Sequence, residues 1–335
     1  MVSAEFSRGI VSMETEGLIY AYLLDGQGSA RRLGWEDVER WKPEQGPIWL
    51  HFDYTSPETV AWVSDKSGLH EVPASVLLTE ESRPRTILIG GGVLVALRGV
   101  NQNPGSDPED MVAIRVWFDQ TRIISTRRRT LLSESDIVES FERGGGPRTT
   151  GEFIAHLADS LVSRMGDVVE DTEDRVAQME QDVIAVESQA LRTRLSEVRR
   201  EAILLRRYLS PQKEAMTRLC AEEVPWLGDN NRLRLKEATD RVVRCIEDLD
   251  SARDRAAITQ EELVNRLSEQ LNARMYVLSL VAAIFLPLGF LTGLLGINVG
   301  GIPGSDHPAA FLVFLLVLAV VVVLQILIFK RKRWL

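Results

Sequence analysis

Two asparagines bracket a long uncharged stretch near the C-terminus, Asn272 shortly before it and Asn298 immediately after it. Repeated around a symmetry axis, each would present a ring of amide carbonyl oxygens, and oxygen donors suit hard, hydrated cations. On spacing alone, Asn272 can also be an interfacial cap and Asn298 a turn residue after a helix. His51 and Asp53 stand two apart on one side of a strand, the spacing of an acid–base pair, although a satisfied structural pair is the plainer reading. No nucleophile or metal-ligand constellation accompanies them, so the chain is not read as an enzyme. Cys220 and Cys245 lie in charge-rich helical sequence without CxxC spacing and read as buried free thiols. The glycines at 90–92 join two strands and do not open a helix, which fails the context of a phosphate-cradling loop. Those at 144–146, followed by Pro147, read as a linker.

The elements that carry the two asparagines have the length and polarity of membrane spans. Residues 275–297 hold no charge, and a helix of that length rises ~34 Å against the ~30 Å of a hydrocarbon layer. Residues 311–329 form a second uncharged run, rich in Val and Leu, that rises roughly 28 Å and can return. Arg274 precedes the first run, Lys330, Arg331, Lys332 and Arg333 follow the second, and the loop between holds only Asp306 as a formal charge. The positive-inside rule then places both termini in the cytoplasm, with Trp334 as an interfacial anchor. The N-terminus shows no basic region followed by an apolar core, so no secretory signal is read.

A two-span hairpin cannot enclose an aqueous path, so several subunits must surround one. Ser279, Ala282, Ala283, Gly289, Thr292, Gly293 and Gly296 make the first span rich in small or weakly polar residues, with Gly289 and Gly293 in GxxxG spacing. The second span is Val and Leu nearly throughout, so the first is predicted to be the inner one. Met275, Ser279, Ala283, Leu286 and Phe290 follow Asn272 at three- or four-residue steps. They form a candidate pore wall with Leu286 or Phe290 as a constriction, though subunit packing demands similar spacing. His307, near the outer loop, is either a plain loop histidine or an aid to cation capture.

Upstream, Ile154, Leu157, Leu161, Met165, Val168, Val176, Met179, Val183 and Val186 recur at the three-then-four spacing of a coiled-coil seam. This predicts a long helix closed at 208–211, where Pro211 disfavours continuation, and a short helix to Glu223. A last helix, capped within 228–231 and free of proline until Pro287, should run unbroken to Leu295, roughly 100 Å. Earlier still, short segments at 17–24, 48–52, 86–89, 93–100, 112–118 and 122–126 are β-branched, aromatic and bounded by turn residues, which predicts a sheet. A helix is expected over 58–67 after Ser56 and Pro57. The expected organisation is an α+β membrane protein: an α/β domain over 1–150, a helical stalk over 151–272 and a transmembrane hairpin with a basic tail over 273–335. With 45% hydrophobic and 26% charged residues, the chain can bury a core. Its net charge of -9 argues against nucleic-acid binding and suits a body that concentrates cations.

The run from Met275 through Phe285, Pro287, Gly289, Phe290, Thr292 and Gly293 to Gly296, Ile297 and Asn298 resembles the CorA superfamily of divalent-metal transporters. That family ends its first span with Gly-Met-Asn. Here the signature is Gly296, Ile297 and Asn298, followed by a loop of Val299, Gly300, Gly301, Ile302, Pro303 and Gly304, which looks like the zinc-associated ZntB branch. The resemblance implies a homopentameric funnel in a bacterial inner membrane, with Asn272 at the cytoplasmic pore mouth and the signature at the outer entrance. The cargo implied is a divalent cation, zinc by preference, with no permanently bound cofactor. The resemblance also implies import coupled to protons, although neither span carries a carboxylate or histidine to relay one. Ile297 supplies no zinc ligand, so the signature alone does not make a zinc site. A magnesium channel of the same superfamily is the alternative, and a membrane-anchored coiled-coil scaffold the distant one.

Overall fold

Alternation along the N-terminal strands sorts their side chains onto two faces, and helices cover both. The computed structural model describes residues 17–80, 83–185, 189–296 and 307–331. In chain order these contain β1 (Leu18–Leu24), β2 (Ala30–Arg32), α1 (Trp35–Arg40), β3 (Ile48–Asp53), α2 (Pro57–Ala61) and α3 (Glu71–Leu77). Then come β4 (Arg85–Ile89), β5 (Gly92–Gly99), β6 (Val112–Phe118), β7 (Arg122–Arg127) and α4 (Leu132–Glu142). The strands form one mixed sheet in the order β2-β1-β3-β7-β6-β5-β4, in which only β3 and β7 pair in parallel. The six segments expected from sequence are all strands, and β2 is an addition whose three residues are too few to register a pattern. Gly90 and Gly91 take positive φ (63° and 77°) and turn β4 into β5, as their position between two apolar runs predicts.

Ile48, Leu50 and Phe52 of β3, with Leu94, Trp117 and Ile124, bury one face of the sheet against Val63, Ala74, Val76 and Leu77. Trp49, Val95, Leu97, Val116 and Ile123 bury the other against Ile137 and Phe141 of α4 and the long helices that follow. The helix expected over 58–67 is α only as far as Ala61. Residues Trp62–Lys66 then widen into a π turn in which the Ser67 amide reaches the Trp62 carbonyl at 2.9 Å.

The stalk departs from the sequence reading. It contains two helices, α5 (Thr150–Ala185) and α6 (Gln189–Ala221), where one long helix ending near Pro211 was expected. Arg175 to Glu201 (2.6 Å) and Arg194 to Asp182 (3.4 Å) show that they run antiparallel. Helix α6 passes straight through Pro211. The lost backbone donor is outweighed by burial of Leu209, Gln212, Ala215 and Met216. Two contacts with the sheet fix this stretch: Arg98 donates its amide to Gln212 Oε1 at 2.7 Å, and the Thr86 hydroxyl donates to the Ala215 carbonyl at 2.7 Å.

Past a short 3-10 turn at Pro225–Leu227, α7 runs unbroken over Asp229–Gly296, and α8 spans Ala310–Arg331. At 68 residues α7 is about 100 Å long. The chain forms two compact units, Met1–Gln260 and Glu261–Leu335, and α7 contributes to each. In the first unit α7 lies beside α5 and α6, with Arg255 bidentate on Glu180 (2.9 and 2.6 Å) and Arg206 on Asp250 (2.7 Å). Many stalk carboxylates are thus neutralised by arginine across helices.

Candidate ion-conduction site

The apolar composition of the second unit decides what its helices can do. Both α7 and α8 contain a stretch long and apolar enough to cross a membrane, and neither stretch is buried within the chain. Met275, Val277, Leu278, Phe285, Leu286 and Phe290 on α7, and Phe311, Leu312 and Leu316 on α8, are all exposed. Apolar surface of this extent must be covered by lipid or by other copies of the chain.

At about 100° per residue the candidate wall residues Asn272, Met275, Ser279, Leu286 and Phe290 fall on one side of α7, and each is exposed. Leu280, Ile284, Leu288 and Leu291 are half-buried on a different side. Ala283 shares the angular range of the wall but is half-buried, and its carbonyl accepts a hydrogen bond from Gln325 Nε2 of α8 at 3.3 Å. Gly289, Gly293 and Gly296 have open space where a side chain would project, so another helix can approach the backbone there. The Thr292 hydroxyl turns back to the Leu288 and Gly289 carbonyls at 3.0 and 3.1 Å, which satisfies it inside an apolar span. Gly296 ends α7, whereas Ile297, Asn298, Asp306, Lys332, Arg333 and Trp334 lie outside the described residues. His307 is exposed, and its Nδ1 accepts the Ala309 amide at 3.2 Å where the chain enters α8. That is a structural cap.

The first unit holds a second set of ionisable residues. His51 does not pair with Asp53, which instead accepts from the Thr55 amide and hydroxyl at 2.9 and 2.7 Å. The fully buried His51 ring places Nδ1 2.7 Å from Ser125 Oγ and Nε2 3.1 Å from Glu134 Oε2. Arg127 Nη1 reaches the same oxygen at 2.6 Å, and Trp49 Nε1 donates to Ser125 Oγ at 2.8 Å. Glu134, Arg127 and Ser125 were not anticipated. Glu134 could have been, because it shares a helix face with Ile137 and Phe141 and so puts a carboxylate on the buried side of α4.

Between α4, α5 and α7 lies a polar cleft of 370 Å³, lined by Asp136, His156, Asp159, Ser160, Arg234 and Glu237 among others. Its charges are largely paired: Arg164 grips Asp136 (2.5 Å) and Arg241 pairs with Asp159. The Arg164 guanidinium and the Ser160 hydroxyl hold the Asp136 carboxyl below the usual carboxylate range, against the opposing effect of burial. Burial first, and then the Arg234 guanidinium 3.2 Å from Nε2, push His156 below its ordinary value. Cys220 and Cys245 are free, and burial pushes both thiols up. Among the described residues no three His, Cys, Asp or Glu side chains converge as a metal cage.

Comparison with known proteins covers nearly the whole chain. The divalent cation transporter CmaX of Pseudomonas aeruginosa is 39% identical over 97% of this chain and 98% of its own length. The zinc transport protein ZntB of Pectobacterium carotovorum is 35% identical over 96% of this chain and 98% of its own. The solved structure of full-length CmaX superposes with a TM-score of 0.86 over 96% of this chain and all of that one. Residues 44–331, which take in most of the sheet, the helical bundle and both apolar helices, match a single family model. The chain belongs to the CorA family, described as CorA-like Mg2+ transporter proteins.

Proposed function

We propose that this protein carries divalent cations, zinc by preference, across a bacterial cytoplasmic membrane through a pore formed by five copies of α7. Both termini lie in the cytoplasm, as the basic residues Arg274, Lys330 and Arg331 at one end of the two spans direct. The observation that carries the reading is the uncharged face of Asn272, Met275, Ser279, Leu286 and Phe290, left exposed by its own chain in a member of a metal-transporter family. Five such faces around an axis enclose a path that is polar at its cytoplasmic mouth and apolar within.

In this pore the amide oxygens of Asn298 receive a cation through its water shell at the outer entrance, and those of Asn272 receive it at the cytoplasmic mouth. Neither ring supplies the His, Cys or carboxylate ligands that would trap zinc, so the ion can leave. Leu286 and Phe290 narrow the path between them, where conduction depends on wetting. The preference for zinc rests on the Gly296, Ile297, Asn298 signature and on similarity to ZntB; the family description favours magnesium as the second reading.

The test is flux into proteoliposomes with zinc, with magnesium, and with and without a pH gradient. Zinc flux that the gradient raises identifies a proton-coupled importer, and gradient-independent flux favouring magnesium moves the protein to the channel reading. Asn298→Ala should abolish zinc uptake while size-exclusion chromatography still shows the wild-type oligomer. Unchanged flux in that variant removes the entrance ring.

A further inference from the structure

Helix α8 reads Val and Leu nearly throughout its apolar stretch, and Gln325 is its one uncharged polar side chain. An amide among hydrocarbon is costly, and this one is half used: Gln325 Oε1 is buried and has no hydrogen-bond partner among the described residues. Its Nε2, by contrast, is aimed at one atom, the Ala283 carbonyl oxygen of α7, at 3.3 Å.

That carbonyl has a particular defect. In an α-helix the oxygen of residue i accepts from the amide of residue i+4, and for Ala283 that residue is Pro287, which has no N–H. The proline ring also crowds the same oxygen and tilts it out of the helical ladder. In a soluble helix water would satisfy it, but where one membrane span faces its neighbour, as this carbonyl faces Gln325, there is none to offer. Gln325 supplies the missing donor from the neighbouring span.

We infer that Gln325 is a positioning residue that replaces the backbone donor removed by Pro287 and so fixes the inner span where it is weakest. The inference rests on α7 being the pore-lining span: Leu286 and Phe290 flank the proline, so the geometry at Pro287 sets where these two side chains project. Gln325 itself touches no cation.

The test is a coupling experiment on the full-length protein. Gln325→Met keeps the volume and removes the donor, and Pro287→Ala restores the backbone N–H. With Pro287 present, Gln325→Met should lower flux about three- to tenfold, the scale of one interhelical hydrogen bond in a membrane. It should also speed amide exchange over residues 284–292, read by mass spectrometry. In the Pro287→Ala background the same substitution should change flux by less than about twofold and leave exchange unaltered. If Gln325→Met alone fails to assemble, recovery of assembly by Pro287→Ala is the same result read on folding. Equal effects in both backgrounds, or none in either, overturn the inference. Exchange does not depend on transport, so coupled exchange in a protein without flux would keep the contact and sink the pore reading instead.

Discussion

Glu134 has no exposed surface, and its charge is tolerated because Arg127 and His51 both reach one carboxylate oxygen. Removing one member of such a cluster leaves the others buried and uncompensated. Glu134→Ala should cost about 3–5 kcal/mol, seen as a large drop in melting temperature of the detergent-solubilised protein; an unchanged melt would show that Arg127 and His51 do not depend on it. His156 offers a milder test with a definite sign. Its folded-state value lies below the ordinary one, so the unfolded chain protonates first as pH falls. Well above about pH 6.5 the ring is neutral in both states, and stability is lost as pH falls through about 6.5 toward the lower folded value. His156→Gln should flatten the fall in melting temperature that sets in as pH drops below about 6.5. The sequence marked His51 as a residue of interest but could not name its partners, since Ser125 lies 74 positions away and pairing across strands leaves no local trace. Gln325 went unremarked for the opposite reason. A lone amide in a Val-rich run looks incidental until Pro287, on another helix, is seen to need it.

At the scale of elements, periodicity foretold which residues face inward and said little about where the chain turns. The seam through Ile154, Leu157, Leu161 and Met165 is buried as the spacing implies. The antiparallel pairing of α5 and α6 has no glycine or proline to announce it, whereas Pro211, the conspicuous breaker, sits within a helix held by burial and by hydrogen bonds to β4 and β5. Gly151 is a subtler device. A Cβ there would lie 2.9 Å from the Trp226 carbonyl oxygen and 3.0 Å from that of Leu227, so the first turn of α5 can pack against the turn that launches α7 only without a side chain. Gly151→Ala should force these backbones apart and destabilise the protein by about 1–3 kcal/mol in thermal unfolding. A neutral result would mean that the approach can relax without loss.

For the whole molecule, the division between charged and apolar sequence was the most legible feature, because a membrane admits so few solutions: uncharged runs of sufficient length, basic flanks, and a helix unbroken from Asp229 to Gly296. Spacing singled out Asn298, but its place in a Gly296, Ile297, Asn298 signature was legible only by resemblance, and Ile297 and Asn298 fall outside the described residues. The placement of both apolar helices after the sheet and bundle has a further consequence, in time instead of space. Translation at about 5–20 residues per second spends roughly 13–50 seconds on the first unit before any of the span has been made. Strands β3 and β7, the buried Glu134 and both stalk helices are therefore all synthesised before either apolar helix. Whatever receives the two apolar helices then meets a chain whose first unit has had time to fold, and a defect such as a missing Glu134 would show itself in the nascent chain before those helices emerge.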